Sequence, residues 1–508
     1  MENNSFLYRK NLVLGIIKKQ AIRNAAFSFT GAFFGAGSRM SMPLFLSEAQ
    51  IGLLSLLDAI SGMFAIIFCL GFEQVLIRVF PKFRNDESGH NGFLAFGLYL
   101  SFIGVLFGLI VFYFGEHLFL GDNSETNKWF LSFSFLVFPL ILFRILFKNL
   151  DGYARMLFNS VIGVFLESLL TKVVLLLSLV ALAVGLIDFR YLVYIQTINL
   201  CLPGLIIFIY SIVKTEKITK PSPKLLSKNE LRGIFGLVII GVLTGTSGSL
   251  VLYVDSLMVN KLLSLEALGV YATLFFAARL LIIPSTGIAR ISTTILAEAW
   301  TNKDMKKVQE IYEKSALNQL IIGAYLFGIG WLCIRSVLSL TPKFEPYLNH
   351  AWVFFFLGLG LLIEMSAGVN TSIIKASEKY KYNMYFAIVL AVCVVILNYI
   401  FIQKWNIEGA AIASMFAMII VNFLRWFMLR KYYGLQPFNK NFLKGLVLAS
   451  VFIIAASLIK FDLPVVTRLI VYSTGFTLIF WVTVVGLKIS PDINEWLRKM
   501  KNTYLTKK

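Results

Sequence analysis

The residues of this chain that could do chemistry are ionisable side chains inside long apolar stretches. A charge at the centre of a bilayer costs about 2.5 to 3.5 kcal/mol on insertion scales unless it is paired or faces water. Such residues are therefore expected to pair, to bind a ligand or to carry an ion. The candidates are Arg39, Asp58, Glu73, Glu167, Lys172, Asp255, Arg279, Arg290, Arg335 and Glu364.

Two pairs of opposite charge occur at corresponding places in the two halves of the chain. Arg39 and Asp58 belong to the first and second apolar stretches, and Asp255 and Arg279 to the seventh and eighth. One interpretation is an ion pair inside each half. The other is that both arginines line a water-filled cleft and meet an anionic head group, because a guanidinium presents a planar fork of donors that suits phosphate. The sequence leaves both interpretations open.

The composition is that of an integral membrane protein. Of the 508 residues, 58% are hydrophobic and 15% are charged, against about 45 to 50% apolar and 25% charged residues in soluble domains. About fourteen apolar stretches are long enough to cross a bilayer as helices, which predicts an all-α polytopic fold. They cover residues 21–46, 51–77, 93–114, 129–149, 158–186, 191–213, 233–260, 267–294, 317–340, 351–374, 383–403, 408–430, 442–460 and 464–487.

Basic connectors alternate along the chain and predict its orientation. The net charge is +20, and most Lys and Arg residues fall in the even-numbered connectors and at the two termini. Cytoplasmic connectors carry the excess of Lys and Arg in membrane proteins, so both termini are predicted to be cytoplasmic. The basic residues do not gather on one solvated face, which argues against nucleic acid as a partner.

Several functional classes lack their motifs in this sequence. There is no G-x-x-x-x-G-K-[ST] phosphate loop, so direct ATP hydrolysis is not expected. The four cysteines have unrelated spacings and the three histidines lie at or near connectors, so neither a disulfide framework nor a metal site is expected. The connectors are too short to hold a catalytic domain. We therefore do not expect an enzyme.

The stretches divide into two sets of six and a final pair. The sequence S-E-A-Q-I-G, ending at Gly52, resembles S-L-E-A-L-G, ending at Gly269, and the two are 217 residues apart. Six spans return a chain to its starting side, so the repeats share one orientation and are related by a pseudo-two-fold axis along the membrane normal. The predicted parts are an N-terminal lobe (1–213), a cytoplasmic linker (214–232), a C-terminal lobe (233–430), and two extra helices with a basic tail (431–508).

At these motifs the chain resembles the Wzx-type oligosaccharide-lipid flippases, which belong to the polysaccharide transporter family of the multidrug/oligosaccharidyl-lipid/polysaccharide exporter superfamily. The resemblance covers nearly the whole chain and implies two six-helix lobes around a central cavity, with two additional C-terminal helices. It rests on residues 19–24, 46–55, 71–83, 253–260, 268–272, 368–377, 397–402 and 407–413.

The resemblance implies a function and its partners. The substrate would be a polyprenyl-pyrophosphate-linked oligosaccharide, translocated across the bacterial cytoplasmic membrane by alternating access for O-antigen, capsule or exopolysaccharide biosynthesis. Membrane lipids, a polysaccharide polymerase and glycosyltransferases would be its partners. No cofactor is implied, but H⁺ or Na⁺ would be the coupling ion. Two alternatives in the same superfamily stay open: a cation-coupled exporter of small molecules and a flippase of peptidoglycan precursors.

On this interpretation the polar residues inside the spans divide into two groups. One group would bind the substrate, with Arg39 and Arg279 on the pyrophosphate and Asn370, Thr371, Asn398 and Asn422 on the sugars. The other group would couple an ion or pair with the arginines, and it consists of Asp58, Asp255 and Glu364.

Overall fold

The structure, a computed structural model, describes residues 2–85, 87–120, 124–215, 219–223, 225, 227–245, 250–459, 462–495 and 498–499. These residues form α-helices, short 3₁₀ turns and a π-helical segment, and they contain no β-strand. A helix satisfies its backbone hydrogen bonds within one segment, which hydrocarbon requires. The predicted all-α fold is confirmed, and the chain is a multi-pass membrane protein.

The first compact unit comprises Met1–Gly269. Its second helix begins at a capping box, in which the Ser47 hydroxyl accepts from the Gln50 backbone and the Gln50 side chain accepts from the Ser47 backbone. The helices of this unit are α1 (Glu2–Phe45), α2 (Glu48–Phe68), α3 (Phe72–Arg78), α4 (Phe80–Phe83), α5 (Phe93–Gly115), α6 (Ser124–Phe133), α7 (Val137–Met156), α8 (Val161–Val164), α9 (Thr171–Ala183), α10 (Phe189–Lys214), α11 (Lys228–Gly245) and α12 (Leu250–Leu262). The π-helical segment, Phe165–Leu170, lies between α8 and α9.

The second compact unit comprises Val270–Lys508. Helix α13 (Leu265–Arg279) begins just before it. The other helices are α14 (Ile283–Thr301), α15 (Met305–Leu338), α16 (Glu345–Asn349), α17 (Ala351–Ser366), α18 (Asn370–Ala376), α19 (Tyr382–Tyr433), α20 (Lys440–Leu458) and α21 (Val465–Gly486). The 52-residue α19 contains a kink at Trp405 and Asn406, where the backbone leaves the helical region.

The helices account for the predicted stretches. Within the described ranges, ten helices are long and apolar enough to cross a membrane, and a pair that meets at 57°, Pro342–Asn349 and Ala351–Ser366, makes eleven. Helix α19 contains two predicted stretches, one on each side of its kink. The first predicted stretch lies in α1, and the seventh is shared by α11 and α12, between which residues 246–249 lie outside the described chain.

The boundaries of the compact units differ from those of the predicted lobes. The first unit extends past residue 213 and includes α11 and α12. The predicted lobes, linker and tail remain predictions of repeat organisation. Residues 216–218, 224 and 226 of the predicted linker and residues 500–508 of the predicted tail lie outside the described residues.

The two copies of the repeated motif pack against each other at a reciprocal glycine contact. A Cβ atom on Gly52 would collide with the backbone carbonyl of Leu265, and one on Gly269 would collide with the backbone carbonyl of Glu48. Glu48 and Leu265 are also 217 residues apart, so they occupy equivalent positions in the two copies of the motif. The glycine of each copy therefore contacts the same position of the other copy. Such an exchange of contacts is the pattern of a local two-fold axis.

The reciprocal contact predicts a specific intolerance of side chains. We expect Gly52→Ala and Gly269→Ala each to lower the free energy of unfolding by about 1 to 3 kcal/mol, because the added methyl forces two backbones apart. Gly236→Ala in α11 is the matched control, since nothing lies within 4 Å of its Cβ position. Thermal unfolding of the purified protein would measure the three variants; equal melting temperatures would contradict the contact.

Candidate functional site

Three cationic side chains gather at the carboxylate of Asp58. Arg144 of α7 forms an ion pair with Asp58, and its Nη1 donates to the Asp58 backbone carbonyl at 3.0 Å. The Nη2 atom of Arg39 lies 3.9 Å from the other carboxylate oxygen. Lys172 of α9 interacts electrostatically with Asp58 and Arg39, and also with Glu167 of the π-helical segment. Asp58 and the three cationic residues around it are called the Asp58 cluster below.

Close packing of α1 brings the cluster together. A Cβ atom on Gly31 would collide with the backbone carbonyl of Ser168, in the π-helical segment, so glycine allows the two backbones to touch. At Gly35, one turn before Arg39, a Cβ atom would lie 3.5 Å from the aliphatic stem of Lys172. The small residues therefore set the approach of α1 and α9, and with it the position of the lysine beside the arginine.

A cavity of about 40 Å³ adjoins the cluster. Arg39, Asp58 and Lys172 line it, together with Gln196 and Asn199 of α10. Its volume suits about one water molecule, whose share of liquid volume is roughly 30 Å³. The Asn199 amide donates to the Thr171 carbonyl and to Gln196 Oε1. The guanidinium and ammonium groups offer charged donors, which make the stronger hydrogen bonds to anions. The arrangement is chemically suited to stabilise negative charge within the membrane-spanning helices.

Four of the predicted sugar-binding and coupling residues of the second unit, Asn370, Thr371, Asn422 and Glu364, form a single hydrogen-bonded network. Asn422 donates through Nδ2 to Glu364 Oε2 at 2.5 Å, and Asn370 donates through Nδ2 to Asn422 Oδ1 at 3.0 Å. The Thr371 hydroxyl donates to Asn370 Oδ1 at 3.1 Å. Arg425 Nη1 lies 3.4 Å from Glu364 Oε1. We call these five residues the Glu364 network; its carboxylate is balanced by its arginine.

The remaining three predicted residues have different surroundings. Arg279 is the last residue of α13 and is exposed. Asp255 of α12 and Asn398 of α19 are fully buried. Each of the three makes a polar interaction within the protein. Their assigned roles stay predictions. Among the described residues, no three His, Cys, Asp or Glu side chains are close enough to hold a metal ion.

Sequence reasoning missed the two arginines that complete these groups. Arg144 lies in the predicted stretch 129–149 and Arg425 in the stretch 408–430. Both side chains are largely buried, with exposed fractions of 15% and 8%. A charge inside an apolar stretch was the criterion that selected Arg39, and the same criterion applied to every stretch would have selected Arg144 and Arg425. Their partners could not be read from the sequence.

Comparison with known sequences identifies relatives of low identity. Residues 239–400 match the MatE family model. An uncharacterized membrane protein of Methanocaldococcus jannaschii is 22% identical over 495 residues, which cover 93% of this chain and 96% of that protein. The capsular polysaccharide biosynthesis protein CapF of Staphylococcus aureus is 24% identical over 188 residues, 36% of this chain, and the match spans 46% of CapF.

Solved structures share the fold over most of the chain. The lipid II flippase MurJ, in an inward closed conformation, matches with a TM-score of 0.71 and 16% identity, covering 92% of this chain and 100% of MurJ. An inward-facing multidrug resistance MATE family transporter of the MOP superfamily matches with a TM-score of 0.63 and 14% identity, covering 85% of this chain and 98% of the transporter. The chain has the MOP-superfamily fold. At these identities the likeness concerns the fold alone.

The ion pair between Asp58 and Arg144 predicts that substitutions at these two residues have non-additive effects on the free energy of unfolding. We expect Arg144→Gln to lower the free energy of unfolding by about 2 kcal/mol, because it removes the closest cation from a carboxylate inside the membrane. Asp58→Asn in the same protein should recover part of that loss. A double-mutant cycle on chemical unfolding would give the interaction energy, expected to be about 0.5 to 3 kcal/mol. Arg190→Gln, at an exposed residue, is the control; additive effects would contradict the pairing.

Proposed function

We propose that this protein translocates a lipid-linked oligosaccharide that carries a pyrophosphate, by alternating access. The observation that carries the proposal is the composition of the Asp58 cluster. Arg39, Arg144 and Lys172 interact with the Asp58 carboxylate, and Glu167 also interacts with Lys172, so three cations and two carboxylates leave an excess of about one positive charge inside membrane-spanning helices. Uncompensated charge at this depth is costly and is expected where a ligand of opposite charge completes the site.

A pyrophosphate would balance the excess positive charge of the Asp58 cluster. Its oxygens accept several hydrogen bonds at once, and guanidinium groups donate in a planar fork while a lysine acts as a point charge. A head group of phosphate and sugar cannot enter hydrocarbon without such partners, whereas a polyprenyl tail remains in the bilayer. The cavity beside Arg39 and Lys172 would have to widen to admit a head group, which alternating access supplies.

The Glu364 network supports the sugar portion of the proposal. Asn370, Thr371 and Asn422 present amide and hydroxyl groups, which hydrogen-bond to sugar hydroxyls in the same way that they bond to one another here. Glu364 would serve as a coupling group for H⁺ or Na⁺, with Arg425 balancing its charge in the resting state. Arg279, Asn398 and Asp255 keep the substrate and coupling roles proposed for them.

The charge of the Asp58 cluster also separates the proposal from the first alternative. A cation-coupled exporter whose cargo is itself a small cation needs a net negative or aromatic site for that cargo, and the Asp58 cluster has a net positive charge. A flippase of peptidoglycan precursors would use the same anionic chemistry, and the fold likeness to the lipid II flippase MurJ favours it as the second candidate. The local similarity to CapF favours a surface-polysaccharide oligosaccharide instead.

The proposed setting is the bacterial cytoplasmic membrane, with both termini in the cytoplasm. A polyprenyl-linked oligosaccharide is assembled where activated sugars are present, so glycosyltransferases would supply the substrate on that side. A polysaccharide polymerase would then consume the product on the other. The alternation of basic connectors along the sequence supports this orientation.

Transport assays on charge variants test the proposal. In proteoliposomes with a fluorescent polyprenyl-pyrophosphate oligosaccharide, we expect Arg39→Gln and Lys172→Gln each to slow translocation about tenfold or more, since each removes a charge-assisted contact. Lys172→Arg keeps the positive charge and should therefore retain much of the wild-type translocation rate. Arg335→Gln is the control, because that arginine lies beside Trp331 at 5.4 Å and outside the Asp58 cluster.

Two results would overturn the assignment. The first is wild-type translocation in both neutral variants, with Arg335→Gln also unaffected. The second is ion-dependent efflux of a small cation in the absence of any lipid translocation, which would favour the exporter. Running a lipid-linked disaccharide-pentapeptide in parallel distinguishes the two flippase substrates by their relative rates. The same assay with Arg279→Gln tests the role predicted for that residue.

A further inference from the structure

A second cationic cavity lies in the first unit, at the end of α10. Its volume is about 610 Å³, and residues of α1, of the connector between α7 and α8, and of α10 line it. The polar and cationic members of its wall are Gln20, Arg23, Asn159, Tyr210 and Lys214. We infer that this cavity, called the α10 pocket below, binds the phosphate head group of a membrane phospholipid.

The positive charge of the α10 pocket favours an anionic ligand. Arg23 and Lys214 both line it and are both exposed, so their charged groups are open to a ligand. The described residues that line the pocket include no carboxylate. A third cation lies at its edge, because the Arg84 guanidinium stacks 4.3 Å from the centre of the Phe158 ring, and Phe158 is part of the wall. An anionic lipid surface attracts basic side chains, so these cations favour an anionic head group.

The neutral polar groups form a fixed wall between these cations. Asn159 donates through Nδ2 to the Tyr210 hydroxyl at 2.6 Å, which ties the connector to α10. Gln20 accepts at Oε1 from the Ser160 backbone at 3.2 Å and from the Ser160 hydroxyl at 3.0 Å, which ties the connector to α1. Gln20 also donates to the backbone carbonyl of Phe158. The pocket is thus shaped before any ligand arrives, which lowers the entropic cost of binding.

The apolar surroundings favour a lipid over a free phosphate. Ile209 and Val213 of α10 are 52% and 73% exposed, and they flank Tyr210 and Lys214 along the helix. Ile22, beside Arg23 on α1, is 62% exposed. In a membrane-spanning helix, exposed aliphatic side chains contact acyl chains. A bound head group would therefore sit in the pocket while its tails follow the exposed apolar side chains.

The α10 pocket is distinct from the Asp58 cluster. The two cavities share no lining residue. Arg23 and Arg39 are both on α1, sixteen residues apart, which corresponds to about 24 Å along a helix. Binding at one therefore does not require occupancy of the other, and the inference stands whether or not the proposed transport is correct.

Lipid binding to purified protein tests the inference. With dioleoylphosphatidylglycerol added to the full-length protein in a neutral detergent, we expect bound lipid in native mass spectra and a rise in melting temperature, as for any ligand of the folded state. The double variant Arg23→Gln and Lys214→Gln should bind about tenfold more weakly or worse. The double variant Lys303→Gln and Lys306→Gln loses the same charge at exposed residues elsewhere and should bind as the wild type does.

One further variant and two further ligands test the site and the lipid assignment. Arg23→Lys keeps the charge and should retain most of the binding, which separates loss of a cation from loss of fold. Dioleoylphosphatidylcholine, whose head group is neutral overall, should bind more weakly than the anionic lipid. Inorganic phosphate alone should give no shift; an equal shift with phosphate would assign the pocket to a soluble phosphate compound and overturn the lipid assignment. Unchanged phosphatidylglycerol binding in the Arg23 and Lys214 double variant would overturn the site itself.

Discussion

A charge inside hydrocarbon must be paired or face water, and the carboxylates of Asp58 and Glu364 are both paired. Asp58 lies beside two arginines and Glu364 lies beside one. The balance differs between the two units, because the Asp58 cluster has a cationic surplus while the Glu364 network pairs one carboxylate with one arginine. The excess positive charge therefore lies in the first unit, and it is the reason for proposing an anionic substrate.

Helix packing determines where those charges meet. Gly31 and Gly35 let α1 approach the π-helical segment and α9 closely enough to place Lys172 near Arg39. Departures from α-helical hydrogen bonding often occur at functional sites, and here the π-helical segment ends two residues before Lys172, which carries the ammonium group. Because small residues and an altered helical turn position that group, substitutions at Gly31 would disturb the cluster without touching any charge.

Much of the fold could be predicted from the sequence, because apolar length and basic connectors are local signals. The apolar stretches predicted the helices, and Arg39 both lies 3.9 Å from the Asp58 carboxylate and lines the adjoining cavity. Arg144 and Arg425 were overlooked although their stretches showed them. The union of Asn370, Asn422 and Glu364 depends on long-range packing, which residue spacing alone does not encode. The roles of all these residues remain predictions.

The reciprocal contacts of Gly52 with Leu265 and of Gly269 with Glu48 limit how the two copies of the motif can differ. In a self-associating protein of half this length, those two contacts would have been one contact made twice, and a single substitution would have altered both. In a single chain the two copies can differ independently: Ser47 forms a full capping box with Gln50, whereas Ser264 caps α13 opposite Ala267. Both copies have glycine at this position, and at both positions the neighbouring backbone excludes a side chain.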